Sequence, residues 1–220
     1  CVQMNGIQGN RNIKSQEFDI SDYSGIDLSG SGSLVYEQKP DAEPYLSLEI
    51  DENLIEYISV EVVDGKLIIK NTQNIDPTQY NIYTNSAALS EAVLSGSGNL
   101  ILSNGINSTS LAISLNGSGK IEGANLNCKD VTVNLFGSGS VMVAGNSEKS
   151  TLKLIGSGKI SAKELITQKS KTKVAGSGGV YLDVADSLDA EIQGSGYIKY
   201  IGTPGYLNKS VLGSGSVSAE

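Results

Sequence analysis

Apolar side chains recur at every second position through most of this 220-residue chain, and the alternation is interrupted at regular intervals. The interruption is each time Gly-Ser-Gly, at 30–32, 96–98, 117–119, 137–139, 156–158, 176–178, 194–196 and 213–215. Two residues ahead of the first glycine stand Leu28, Leu94, Leu115, Leu135, Leu154, Val174, Ile192 and Val211. Two residues past the last stand Leu34, Leu100, Ile121, Val141, Ile160, Val180, Ile198 and Val217, so all sixteen flanks are aliphatic. Polar residues such as Lys120, Glu122, Lys159, Ser161 and Lys199 fill the positions between. A period of two belongs to a strand with one buried face, and no segment sustains a helical period.

The last seven triplets start 21, 20, 19, 20, 18 and 19 residues apart. A repeat near 20 residues marks a stacked architecture in which each unit packs only on its neighbours. One strand does not use 20 residues, but a coil of three short strands and their corners does, with a perimeter of about 60–65 Å. Coils stacked at about 4.8 Å place the seven contiguous triplets in a column roughly 30 Å tall. The predicted fold is therefore all-β, a parallel β-helix, right-handed by the crossover rule. A propeller needs a period nearer 40, and leucine-rich repeats need a helical segment. Within a coil the glycines mark a constriction or bend, or supply backbone angles closed to other residues. The serine between them points outward, either into a hydroxyl ladder between coils or as a ligand-binding stripe. The phosphate-cradling pattern Gly-x-x-x-x-Gly-Lys-Ser/Thr is missing.

The N-terminal part is β but less regular. Tyr45–Ile50 alternates, Val60–Lys70 reads as two strands around an Asp64-Gly65 turn, and Tyr80–Thr84 resumes the alternation. The expected organisation is a tether over 1–16, an irregular β region of early coils or a cap over 17–90, and regular coils over 91–220. The last coil is expected to leave an open edge able to pair with another molecule.

Composition narrows the chemistry. A net charge of −8 and a pI near 4.6 disfavour nucleic acid. Lys169, Lys171 and Lys173 alternate on one strand face, which reads as a solvated surface. Histidine is absent and Arg11 is the one arginine, which excludes imidazole-based metal sites and histidine-dependent triads. The acidic groups Asp183, Asp186, Asp189 and Glu49, Asp51, Glu52 offer paired carboxylates of the kind glycosidases use, but turn and surface roles explain them more simply. Repeat-type calcium loops are missing, so no metal and no cofactor are expected. No apolar run reaches the length of a membrane span. The chain starts on Cys1, as a mature bacterial lipoprotein does, which makes Cys1 the expected lipidation site and a membrane the expected anchor partner. Cys128 then reads as a small buried residue.

The combination of Phe18-x-Ile20, Gly25-Ile26-Asp27-Leu28-Ser29-Gly30, the Val62–Ile69 hairpin with its Asp64-Gly65 turn, and the Gly-Ser-Gly repeats resembles the putative auto-transporter adhesin, head GIN domain family of Bacteroidetes lipoproteins. The resemblance covers residues 15–220. It implies a β-helical extracytoplasmic domain, often lipid-anchored, and supplies no catalytic residues. On this reading the protein is a non-enzymatic outer-membrane lipoprotein of the cell envelope, adhesin-like, with its surface or periplasmic placement open.

Three surfaces are candidates. Phe136, Ile155 and Ala175 fall on one outward strip just ahead of their triplets, as an interface or buried beneath the N-terminal third. Tyr181 and Tyr197 have outward parity and could stack on a sugar, which makes a carbohydrate-binding module the alternative function. The strip or the C-terminal edge would serve a homo-oligomer, and a glycan or surface protein would be the outside partner. A polysaccharide lyase or hydrolase is disfavoured, because the chain lacks histidine, a calcium motif and all but one arginine.

Overall fold

Each repeat folds into one three-sided coil, and the burial of its residues shows where the sides meet. In Lys120–Gly137, inward Ile121, Gly123, Leu126, Cys128, Val131, Val133 and Leu135 alternate with outward residues. Two adjacent exposed pairs, Ala124–Asn125 and Lys129–Asp130, break that alternation and form two corners. Asn125 takes a left-handed φ of 55°, which asparagine tolerates at a turn. The triplet that follows makes the third corner. The structure is a computed structural model describing residues 6–220; Cys1, the expected lipidation site, lies outside the described residues.

Successive coils stack as parallel strands with about 20-residue spacing, giving an all-β solenoid of about six turns. Lys120–Gly137 lies in register on Ser140–Gly156, with Ile121 against Val141, Val133 against Leu152 and Gly137 against Gly156. Of the sixteen aliphatic flanks, all but Val211 and Val217 are buried. Each fully buried leucine or isoleucine contributes about 1.5–3 kcal/mol, so the continuous interior ladders dominate the stability of the column.

The triplet corner depends on backbone contacts between coils. The Gly137 carbonyl accepts the amides of both Ser157 (3.1 Å) and Gly158 (3.0 Å), and the Gly139 carbonyl accepts that of Lys159 (3.0 Å). Gly156 has φ +127°, a conformation that L side chains rarely adopt. A Cβ on Gly158 would stand 2.5 Å from the Gly139 carbonyl oxygen and 2.8 Å from Leu135 Cδ2, so there the stacking itself leaves no room. The serines between the glycines point outward, but they form no hydroxyl ladder among the described residues. A hydroxyl cluster lies inside instead, where Ser147 meets Thr167 (2.8 Å), Ser150 donates to Ser170 (2.8 Å) and Ser170 meets Thr172 (3.1 Å). Parity predicts that these residues face inward; the Ser147–Thr167 and Ser150–Ser170 bonds also depend on coils being in register.

The N-terminal third both joins the column and closes it. Gly25–Gly30 stacks directly on Glu91–Gly96, with Gly30 against Gly96, and Ser33–Gln38 stacks on Asn99–Leu102. The first triplet therefore belongs to a regular coil, and the long gap behind it is an insertion between adjacent coils. That insertion returns to the end of the column. Ile58–Val63 and Lys66–Asn71 form the expected antiparallel hairpin, with Asp64 and Gly65 both at positive φ, as a type I′ turn requires. Lys66–Asn71 pairs in parallel with Gly25–Gly30, and Tyr80–Ser86 with Ser33–Gln38. Tyr45–Asp51 then adds antiparallel to Tyr80–Ser86, and Ile13–Phe18 antiparallel to Tyr45–Asp51.

This pairing corrects the expected tether over 1–16. Ile13–Phe18 is an edge strand and Ile7–Gln8 pairs with Ile75–Asp76, so both segments belong to the folded body. Their sequence carries no alternation because the edge strand is held by backbone bonds and buries almost nothing. Asp51 fastens the segment. Its buried carboxylate accepts the Arg11 amide (2.7 Å), the Thr78 amide (2.7 Å) and the Thr78 hydroxyl (2.8 Å). Burial pushes its pKa up, but the Thr78 hydroxyl and the amides of Thr78, Arg11 and Gln79 outweigh burial and hold it below the ordinary value.

At the other end, Tyr206–Leu212 stacks on Gly179–Gly194 and Ser216–Ala219 on Tyr197–Ile201. No strand covers the far edge of either among the described residues. Lys209 occupies an inward position opposite Ala190, donates to the Val217 carbonyl (3.2 Å), and lies 5.5 Å from the centre of the Tyr200 ring. A charge pointing inward in an end coil discourages edge pairing.

Gly156→Ala should cost about 2 kcal/mol or more through backbone strain and overpacking, whereas Ser157→Ala should stay within about 0.5 kcal/mol. Guanidinium unfolding midpoints check the pair. Since Asp51 has a depressed pKa, its contribution is present above the ordinary carboxylate value and lost as pH falls through its lower folded value. Amide exchange over residues 7–18 should therefore accelerate below about pH 4 in the wild type. In Asp51→Asn the same segment should exchange fast even at neutral pH.

Candidate functional site

The longest side of each coil runs into the triplet, and these sides stack into a sheet with one continuous outward surface. Register turns single residues on that surface into columns. Ser29, Ser95, Asn116, Phe136, Ile155, Ala175, Gln193 and Leu212 form the column next to the triplet corner. Phe136 and Ile155 are each 38% exposed, Ala175 is half-buried beside them, and Leu212 is 73% exposed. The N-terminal third therefore does not cover the strip, which removes the burial alternative for these residues. Two apolar side chains on consecutive coils lie open to solvent, with Ala175 half-buried on the next.

The neighbouring columns carry a feature that the sequence reading divided. Lys149 stacks on Lys169, Lys153 on Lys173, and Thr151 on Lys171, all facing outward. The eight outward positions of the long sides 149–155 and 169–175 hold five lysines, one threonine, Ile155 and Ala175, and no acid. Lys173 pairs with Glu191 at 2.8 Å, and this bond, assisted by Gln193 and Lys171, holds the Glu191 carboxyl below the usual range. Lys153 Nζ lies 5.4 Å from the centre of the Phe136 ring. Among the described residues Lys149, Lys153, Lys169 and Lys171 make no ion pair. The alternation of Lys169, Lys171 and Lys173 was visible in the sequence. Lys149 and Lys153 join them because they stand as far ahead of their triplet as Lys169 and Lys173 stand ahead of theirs.

Tyr181 and Tyr197 do meet, on another side of the column. Their rings are edge-to-face with centroids 5.4 Å apart, and their two hydroxyls share a hydrogen bond (3.2 Å). The bond with Tyr181, and then burial, raise the Tyr197 pKa above its ordinary value. The ring faces are already occupied. Lys159 Nζ stands 4.7 Å from the Tyr181 centroid, and Lys199 lies within 6.0 Å of both rings. Tyr197 lies against the backbone of Gly179, where any Cβ would strike its ring. A sugar would have to displace these contacts to stack.

Two grooves follow the other corners. A polar one of about 560 Å³ is lined by residues that include Asn107, Asn127, Asn146 and Gln168. A more apolar one of about 390 Å³ is lined by residues that include Ile101, Leu102, Met142 and Ala144. Four of the six acidic residues considered for acid–base work are engaged elsewhere. Asp51 and Glu52 fasten the N-terminal cap, Gln79 donates to Glu49, and Asn208 donates to Asp189. Cys128 is an inward residue whose thiol pKa is raised by burial. No cluster of three or more metal-ligating side chains occurs among the described residues. No helix among them is long and apolar enough to cross a membrane.

Comparison with known proteins agrees with this architecture. Residues 22–204 match the family described as putative auto-transporter adhesin, head GIN domain. A crystal structure from Parabacteroides distasonis, described as a putative lipid binding protein, is 34% identical, with a TM-score of 0.81 over 98% of this chain and 100% of that one. A putative adhesin from Bacteroides fragilis shares the fold with a TM-score of 0.89 at 23% identity, over 98% and 100% of the two chains. One from Parabacteroides merdae gives 0.73 at 24% identity, over 98% and 99%. No curated protein matches the chain.

Tyr181→Phe should bring the Tyr197 pKa back toward the ordinary tyrosine value, seen as one tyrosine titrating earlier in an ultraviolet pH titration. Gly179→Val should expel the Tyr197 ring and change the near-ultraviolet circular dichroism, while the far-ultraviolet β signal persists.

Proposed function

The chain belongs to the putative auto-transporter adhesin, head GIN domain family, and on that premise we propose that it is a non-enzymatic, lipid-anchored cell-envelope protein. Its rigid β-column presents the outward face of the long sides as a surface for adhesion or assembly. One observation carries this reading. Phe136 and Ile155 stand exposed and in register, with half-buried Ala175 next to them, on a face where column neighbours are otherwise polar, apart from Leu212. Solitary apolar residues are common on surfaces, but stacked ones on consecutive coils form a patch that a partner would cover. The proposal includes an outer-membrane lipid anchor, in keeping with the adhesin-like family to which the chain belongs.

The description of the Parabacteroides distasonis relative as a putative lipid binding protein favours a second reading within the same frame, in which the surface meets lipid. The lysines beside Phe136 and Ile155 are the feature of this chain that supports it.

The paired substitution Phe136→Asp with Ile155→Asp should abolish self-association in sedimentation velocity and leave the unfolding midpoint within about 1 kcal/mol of wild type, since both sites are exposed. Loss of the fold, or association unchanged from wild type, would remove the strip from the surface.

A further inference from the structure

We infer that the lysine columns and the apolar strip beside them form one docking face for an anionic phospholipid bilayer. This rests on the reading that the long-side surface is the binding surface. The argument starts from a cost. Lys149 and Lys169 are direct register neighbours on adjacent strands, and so are Lys153 and Lys173. Strands stack about 4.8 Å apart, and like charges directly opposite one another are unfavourable. Each outward position is free to be polar and neutral, as Thr132, Asn134 and Ser114 are in the coils below. Yet a chain of net charge −8 gathers five of its sixteen basic residues on the two adjacent long sides 149–155 and 169–175.

The surroundings define what would relieve that repulsion. Acidic residues bound the cluster on both sides, Asp130 beneath Lys149 and Asp189 and Glu191 above Lys171 and Lys173, so the positive field is local. Within it, only Lys173 has a carboxylate partner among the described residues. The apolar members Phe136, Ile155 and Ala175 flank the lysines along one edge of the same face. Lysines in several columns beside an apolar strip match a surface that offers many phosphates at once and an acyl layer beneath them. The lysine heads reach the phosphates, and the strip sits at the headgroup boundary. A single acidic polymer chain is better held in a basic groove, and the groove that borders the Lys149 and Lys169 end of this face is lined mainly by neutral amides and hydroxyls, with Glu148 set against Lys129.

The test uses the full chain carrying Cys1→Ser, so that no acyl group contributes, with vesicles of phosphatidylcholine alone or mixed with about one-third phosphatidylglycerol. Cosedimentation at about 0.1 M salt should show binding to the mixed vesicles only, and binding should fall steeply by about 0.5 M salt. Replacing Lys149, Lys153, Lys169 and Lys171 together by Gln should weaken binding at least about tenfold while circular dichroism and the unfolding midpoint stay unchanged. Ile155→Asp alone should weaken binding as well, because the strip enters the same contact. Equal binding to neutral vesicles, no binding to either kind, or full binding by the lysine variant would overturn the assignment. Tighter, lysine-dependent binding to polygalacturonate than to vesicles would also overturn it, in favour of an acidic glycan. If vesicle binding fails while Phe136→Asp with Ile155→Asp still disrupts self-association, this inference falls and the surface reading stands. If both fail, the surface itself is wrong.

Discussion

Everything in this protein depends on one repeated contact, the stacking of backbone on backbone at the triplet corner. The first glycine carbonyl of one coil accepts two amides of the next, from Ser97 and Gly98 on Gly30 through Ser195 and Gly196 on Gly176. That geometry needs a positive φ at the first glycine and bare backbone at the second. Once it is fixed, each coil starts at the same place as the coil beneath, and the aliphatic residues at fixed offsets must lie one above another. The hydrophobic ladders stabilise the column, but the glycine corner sets the register in which they form. A side chain at either glycine would separate adjacent coils and disturb both.

Register also explains how such a regular protein can carry a specific surface. Interior positions are constrained to aliphatic or small residues, with a few hydroxyls that bond one another, so they record the fold and little else. Outward positions are free, and stacking combines residues some 20 apart in sequence into patches. Phe136 with Ile155, and Lys149 with Lys169, become neighbours only in this way. The ends follow the same logic. Antiparallel strands of the insertion and of the N-terminal segment close one end, and Lys209 turns inward at the other.

The repeat, the strand parity, the identity of the interior and the Asp64-Gly65 hairpin were legible in the sequence, because each is a local pattern repeated or a turn with one favoured chemistry. The edge strand Ile13–Phe18 was not, since it is recruited through backbone bonds that impose no side-chain pattern. The insertion was legible as β, but the choice between early coils and a cap was not, because its strands pair with residues far away. For the candidate site, the strip of Phe136, Ile155 and Ala175 was readable from offsets to the triplets. Its exposure was not, because that depends on where the insertion folds. Tyr181 and Tyr197 could be given outward parity, but the lysines over their rings and the Gly179 backbone beneath could not be foreseen.

The sequence by itself determined the coil, its period and what fills it, because a triplet flanked by aliphatic residues at fixed offsets admits one stacking solution. The tertiary structure alone decided which outward residues meet and which remain uncovered. Sheet pairing across coils joins positions about 20 residues apart, and their combined charge and apolar area exist only after the backbone has stacked.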